Sequence, residues 1–233
     1  MMKRWMALLL LALVLLVPAL GAADAEGVVV QSTCKIVQSG DYYLVYCYAQ
    51  IHNNSNEVIC LEQGTFDLHN GEQLLANGEV TQLWPYFLNP GEDGYVFDII
   101  SFEPDENGPV VPSVTGISYN IEYMTVNQAY ASQDLAVISR IEQDAAGNMT
   151  VICELNNNTA VDAYDPTIAF GLYTDGDMFL YADGVTLQNV GIPAGGTMLL
   201  RFDVDDMFVS QWSSYGVAPA EARVSAAFRA DED

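Results

Sequence analysis

Two stretches of this chain match each other about 104 residues apart, and no other feature limits its fold as strongly. Ile51-His52-Asn53-Asn54-Ser55 returns as Leu155-Asn156-Asn157-Asn158-Thr159. Eleven residues further on, Phe66-Asp67-Leu68-His69-Asn70-Gly71 is answered by Phe170-Gly171-Leu172-Tyr173-Thr174-Asp175-Gly176. Leu75-Ala76-Asn77-Gly78 then corresponds to Tyr181-Ala182-Asp183-Gly184, and Phe97-Asp98-Ile99 to Phe202-Asp203-Val204. Such a period is that of a duplicated domain, because solenoid units repeat every ~20–50 residues.

Each copy reads as short strands separated by turns. In the first, Val28 to Gln38 and Tyr42 to His52 flank Ser39-Gly40-Asp41, a hairpin signal. Val58 to His69 meets Glu72 to Ala76 across Asn70-Gly71, which suits a type I′ turn, and Asn77-Gly78 predicts a further turn. Pro90-Gly91-Glu92 precedes Tyr95 to Phe102, and Val114 to Val126 closes the unit. The second copy follows the same plan from Val137 to Gln143 and Asn148 to Leu155 onward. Seven strands with regular turns predict two tandem immunoglobulin-like antiparallel β-sandwiches, an all-β fold spanning 24–127 and 134–233.

Residues 1–23 have the layout of a secretory signal peptide. Lys3 and Arg4 precede an apolar run from Trp5 to Val17, Pro18 breaks it, and Gly21-Ala22-Ala23 offers a small-residue cleavage site. The alternative is an uncleaved anchor over Met6 to Ala23, the one route to membrane attachment in this reading. The expected location is secreted or at the cell surface. Without Lys3 and Arg4 the chain keeps five basic residues against 31 acidic ones. A field of that sign repels phosphate backbones and argues against nucleic-acid partners.

Alternation assigns faces within the strands. Val45, Cys47, Ala49 and Ile51 share one side, as do Met149, Val151, Cys153 and Leu155, and both sets predict core positions. Phe66 and Leu68, like Phe170 and Leu172, are expected to fill the space between sheets. At this point a resemblance emerges. Phe66-Asp67-Leu68 and Phe170-Gly171-Leu172-Tyr173 resemble the Phe-x-Leu-Tyr-Asp signature of FxLYD domains. Asn53-Asn54-Ser55, Asn157-Asn158-Thr159 and Leu88-Asn89-Pro90-Gly91-Glu92 are similar to that family's turns. His69 stands where the signature has tyrosine, and Ala194-Gly195-Gly196 replaces the second Pro-Gly-Glu. The resemblance implies an immunoglobulin-like fold in exported bacterial proteins and carries no catalytic residues.

The mismatches between copies supply the candidate sites. Tyr46 and Tyr48 lie on the outward face of their strand, ready to stack on a sugar ring or partner protein, or to be covered by the other domain. Phe208, Trp212 and Tyr215 occupy a stretch whose counterpart is Pro-rich. They predict a binding surface or a hydrophobic plug between domains, and the spacing of Phe208 and Trp212 allows a helical turn. Folding the first hairpin about Gly40-Asp41 sets Cys34 opposite Cys47, where a disulfide competes with free thiols. Asp203, Asp205 and Asp206, with Asp175/Asp177 and Glu103/Asp105/Glu106/Asn107, are oxygen-rich enough to suggest calcium, although none follows the EF-hand pattern. His52 and His69, the only histidines, complete no hydrolase or zinc motif. The expected function is a non-enzymatic binding or spacer protein facing a protein or glycan. A calcium-dependent adhesion module and, last, a secreted hydrolase are the alternatives.

Overall fold

The computed structural model describes residues 28–106, 108, 110–127 and 132–229. The expected signal peptide, Asn107 and part of the expected linker lie outside these residues. In the first half run β1 (Val28–Ser39), β2 (Tyr42–Asn53), β3 (Ile59–Asn70), β4 (Gln73–Glu79), β5 (Leu83–Trp84), β6 (Phe87–Leu88), β7 (Asp93–Phe102) and β8 (Gly116–Thr125). In the second run β9 (Ser132–Asp134), β10 (Ala136–Gln143), β11 (Met149–Asn156), β12 (Ala163–Tyr164), β13 (Thr167–Tyr173), β14 (Phe179–Thr186), β15 (Gly191–Ile192), β16 (Thr197–Val204), helix α1 (Asp206–Ser214) and β17 (Glu221–Arg229). The chain is all-β apart from α1, and the paired strands are antiparallel, as the turn spacing predicted.

Strand order repeats with the sequence. The first half has a β1-β2-β7-β5 sheet facing a sheet of β4, β3 and β6, with β8 also paired to β3. The second has β10-β11-β16 facing β14-β13-β17-β9. Among the described residues no sheet takes strands from both halves. The predicted inner faces are where the sheets meet. Val45 and Cys47 pack with Phe66, Leu68 and Ile117, and Val151 and Cys153 with Phe170 and Leu172.

The recurring Asn and Pro-Gly motifs form one hydrogen-bonded clasp in each half. Asn53 is fully buried, and its Nδ2 donates to the carbonyls of Glu57 (2.8 Å) and Leu88 (2.9 Å). Its Oδ1 accepts from Ser55 N and Oγ, and its carbonyl accepts from Gly91 N at 2.8 Å. Asn157 repeats the set with Val161, Ile192, Thr159 and Gly195. Both Nδ2 hydrogens are used in each clasp, so these Asn-x-Ser/Thr triplets are turn-builders.

Three local expectations are corrected. The hairpin after β3 turns on Gly71-Glu72, with Asn70 still paired to Gln73, so only Gly71 takes positive φ. Asn77-Gly78 and Asp183-Gly184 make no turn: they lie inside β4 and β14. Gly78 is needed because a Cβ there would stand 2.6 Å from the Phe66 ring. Finally, the Phe97/Phe202 correspondence is one residue out of register. Phe97 lies opposite Tyr48 and faces outward, whereas Phe202 lies opposite Val151 and faces the core. The position equivalent to Phe202 is Asp98, because Cys47 and Val151 are equivalent and each opposes one of them.

Candidate functional site

The outward face of β1-β2-β7 is buried over Thr33, Lys35, Tyr48, Gln50 and Tyr95, whereas Ile99 stays 47% exposed. Tyr48 and Tyr95 are fully buried, and they belong to the same apolar cluster as Ala169, Tyr173, Phe179, Tyr181, Phe208 and Trp212 of the second half. The two halves therefore meet along an aromatic seam. Tyr48 lies 5.1 Å from Tyr181, and Tyr46 meets Phe208 edge-on at 5.0 Å, between ring centroids. Phe97 stacks beneath both tyrosines at 5.4 and 6.3 Å. Offset and edge-on aromatic pairs at such separations add to area burial by ~0.5–1.5 kcal/mol each.

Helix α1 closes one end of the seam. Asp205 caps it by accepting from Met207 N at 2.8 Å, which satisfies one of the free amides of the first turn. The helix then turns Phe208, Val209 and Trp212 inward. Trp212 packs on Phe208 and Tyr181 at 6.2 and 6.1 Å. The helical turn expected from the Phe208/Trp212 spacing is thus a helix of nine residues. Tyr215, its C-cap, stays 37% exposed.

Polar bonds and bare backbone hold the other end. Tyr95 Oη donates to the Arg223 carbonyl (3.2 Å), Tyr173 Oη donates to Tyr95 Oη (3.4 Å), and Ser225 Oγ donates to the Asp93 carbonyl (2.6 Å). The Arg223 guanidinium sits 4.1 Å above the Tyr173 ring and pairs with Glu221 and Asp177. A Cβ on Gly171 would lie 2.5 Å from Tyr95 Cε1, and one on Gly184 would lie 2.8 Å from the Trp84 ring. These glycines are sockets for side chains of the first half.

The candidate aromatics are therefore brought together, but as a junction. Tyr48, Phe208 and Trp212 are buried and offer no free surface, and Tyr46 is partly covered by α1. The plug and the covered-face readings, not an exposed binding patch, describe their geometry. Sequence reasoning missed Tyr95, Gly171, Tyr173, Tyr181 and Gly184. A signal was present: the β13 face Ala169, Gly171, Tyr173 replaces Thr65, Asp67, His69 of β3, small or apolar for polar, along a whole strand.

Burial governs titration here. It pushes the Tyr48, Tyr173 and Tyr181 hydroxyls far up, so all three stay neutral. It also raises Asp183, which nonetheless accepts from Gly184 N at 2.7 Å, and lowers Lys35. Tyr48 Oη and Trp212 Nε1 are buried without a hydrogen-bond partner among the described residues.

The remaining candidates separate. Cys34 and Cys47 stand directly opposite each other, as folding the hairpin about Gly40-Asp41 predicts, and in this structure both are free thiols, one of the two states the sequence left open. Burial raises Cys34 to about 11 and Cys47 higher, so each rests as the thiol at neutral pH and must give up its proton in order to react. Asp203 accepts from Thr150 Oγ1 at 3.1 Å, Asp205 caps α1, and Asp206 sits in its first turn. No group of three or more His, Cys, Asp or Glu residues suited to a metal occurs among the described residues. His52 Nδ1 bonds Asp93 Oδ1 at 2.8 Å, and the Ser225 hydroxyl donates to the carbonyl of that same Asp93. Among the described residues no helix is long and apolar enough to cross a membrane.

No family model and no curated protein matches this chain. A solved structure of red sea bream transglutaminase is similar over 75% of this chain, at 9% identity and a TM-score of 0.23. The chain spans 27% of that structure's length.

Proposed function

We propose that this chain is an exported, non-enzymatic spacer or binding protein, built from two FxLYD-like sandwiches fixed face to face and acting at the cell surface. The observation that carries the reading is the aromatic seam. Residues that would serve as recognition aromatics are used to lock one unit onto the other. A hinge between domains would need a small, polar contact, and this one is apolar and continuous with the core of the second half. Its use is a rigid body of fixed geometry that holds whatever is attached to it at a set distance. Any partner, protein or glycan, would be met by the surfaces outside the seam.

Trp212→Ala tests the assignment of the insert. As a truncation of the largest fully buried side chain, it is expected to cost ~3–5 kcal/mol. An unchanged melting temperature combined with loss of a captured partner would overturn the reading and restore Trp212 as a recognition residue. For the function itself, cross-linking of the full chain on intact producing cells should capture surface proteins or glycans. Small-angle scattering should meanwhile report one rigid particle. A profile that requires separated halves would refute the spacer geometry.

A further inference from the structure

Across the inner face of the first-half sheet, β1, β2 and β7 set Cys34, Cys47 and Asp98 in one row, each directly opposite the next. The same row in the second half is Ile141, Val151 and Phe202. One copy has thus kept a fully apolar row, while the other carries two thiols and a carboxylate among Val45, Phe66, Leu68 and Ile117. Asp98 is buried, and one of its oxygens takes both bonds from Thr81, at 2.9 and 2.6 Å. The other oxygen has no hydrogen-bond partner among the described residues. An unpaired carboxylate oxygen in an apolar core is costly, and the twin shows that the fold does not require one.

We propose that Cys34 and Cys47 form a redox couple that closes to a cross-strand disulfide, with a small-molecule disulfide as oxidant and Asp98 as proton acceptor for Cys47. Directly opposed residues of antiparallel strands have Cα separations of ~4.5–5.5 Å, within the range a disulfide spans. Cys34 reacts first, because it is the less buried thiol and β1 is an edge strand whose backbone pairs with β2 alone among the described strands. Its thiolate attacks one sulfur of oxidised glutathione, giving a mixed disulfide and one reduced glutathione, which takes up the proton Cys34 released. Cys47 then passes its proton to the free oxygen of Asp98 and attacks Cys34 Sγ. The second glutathione leaves as thiolate and collects that proton, so two thiols are oxidised and one glutathione disulfide is reduced. In the reduced form the Cys47 thiol instead donates to the Val45 carbonyl, 3.6 Å away.

The test uses the full folded chain, reduced and then exposed to oxidised glutathione, read by intact mass and peptide mapping. The expected product has lost two hydrogens, with peptides containing Cys34 and Cys47 joined. Cys34→Ser should abolish that product. Asp98→Asn, which keeps the acceptor for Thr81, should leave mixed-disulfide formation unchanged while slowing its resolution about tenfold or more. A purely structural role for Asp98 would not split the two steps. Linkage through Cys60 or Cys153, a mixed disulfide that never resolves in the native sequence, or thiols untouched in strongly oxidising buffer would overturn the proposal. Equal slowing of both steps by Asp98→Asn would remove Asp98 from it.

Discussion

Adding one methyl group at Gly171 should loosen the whole molecule. The new Cβ would stand 2.5 Å from Tyr95 Cε1, 3.0 Å from Tyr95 Cζ and 2.9 Å from Tyr173 Cε2. Carbon atoms rest at ~3.5–4.0 Å, so a ring must retreat by about 1 Å. Neither has room: both tyrosines are fully buried, and their hydroxyls are tied to each other and to the Arg223 carbonyl. Overpacking of this kind costs ~1–3 kcal/mol. Against it stands the ~0.5–1 kcal/mol by which alanine exceeds glycine in a strand. The expected net loss for Gly171→Ala is therefore about 1–2 kcal/mol. Tyr95→Ala removes the obstruction and opens a cavity, at ~3–5 kcal/mol alone. In the double variant the contacts with Tyr95 are gone and only the one with Tyr173 remains, so most of the methyl group's cost should go and the pair should fall short of additivity by ~1–2 kcal/mol. Urea unfolding of the four proteins, followed by tryptophan fluorescence, measures this directly, since Trp84 and Trp212 both pack in the seam cluster. Additivity within ~0.5 kcal/mol would refute the socket. So would a Gly171→Ala protein more stable than the parent.

Three further outcomes follow from other sites. Asn53→Ala and Asn157→Ala each delete the same side-chain bonds and strand buried carbonyls, so each should cost ~2–5 kcal/mol by chemical denaturation; a gap between them above ~2 kcal/mol would show that the clasps are not equivalent. Tyr48→Phe removes a buried hydroxyl without a partner and should be neutral or stabilising by about 1 kcal/mol in thermal melts, whereas a clear loss would mean the hydroxyl is bonded. Burial raises the Asp98 pKa above its unfolded value of 3.8, so its contribution to stability is fully present below that value and lost as pH rises through the folded one. Asp98→Asn mimics the protonated form and should gain stability over the parent towards neutral pH, with the gap closing in acid; a gap independent of pH would contradict the buried charge.

Much of this fold was legible before any coordinates. The limits of β1 and β2, the Cys34–Cys47 register and the inner faces of β2 and β11 follow from alternation and turn residues, because those signals are local. What covers the outer face is not a local property. Tyr46 and Tyr48 suit solvent, sugar or a seam equally well, since one side chain carries both an apolar ring and a polar tip. Only comparison of the two copies breaks that tie, by showing Gly171 and Tyr173 where the first has Asp67 and His69. The turn signals at Asn77-Gly78 and Asp183-Gly184 misled for a related reason. There glycine is set by rings pressing on the backbone, Phe66 in one case and Trp84 in the other.

The seam joins unlike faces: the outer side of β1-β2-β7 on one copy, the outer side of β14-β13-β17 on the other. A contact of that heterologous kind does not close on itself, and identical units joined by it would add head to tail without end. On each copy the face that would extend such a row differs from the face used in the seam. The unused face of the first copy carries Thr65, Asp67 and His69; that of the second carries Arg140 and Arg201, paired with Glu142. Those substitutions would weaken a further contact of the seam's kind, as the polar outer faces of capping repeats do. The duplication thus yields one pair of matched faces, and the asymmetry between the copies makes that pairing directional.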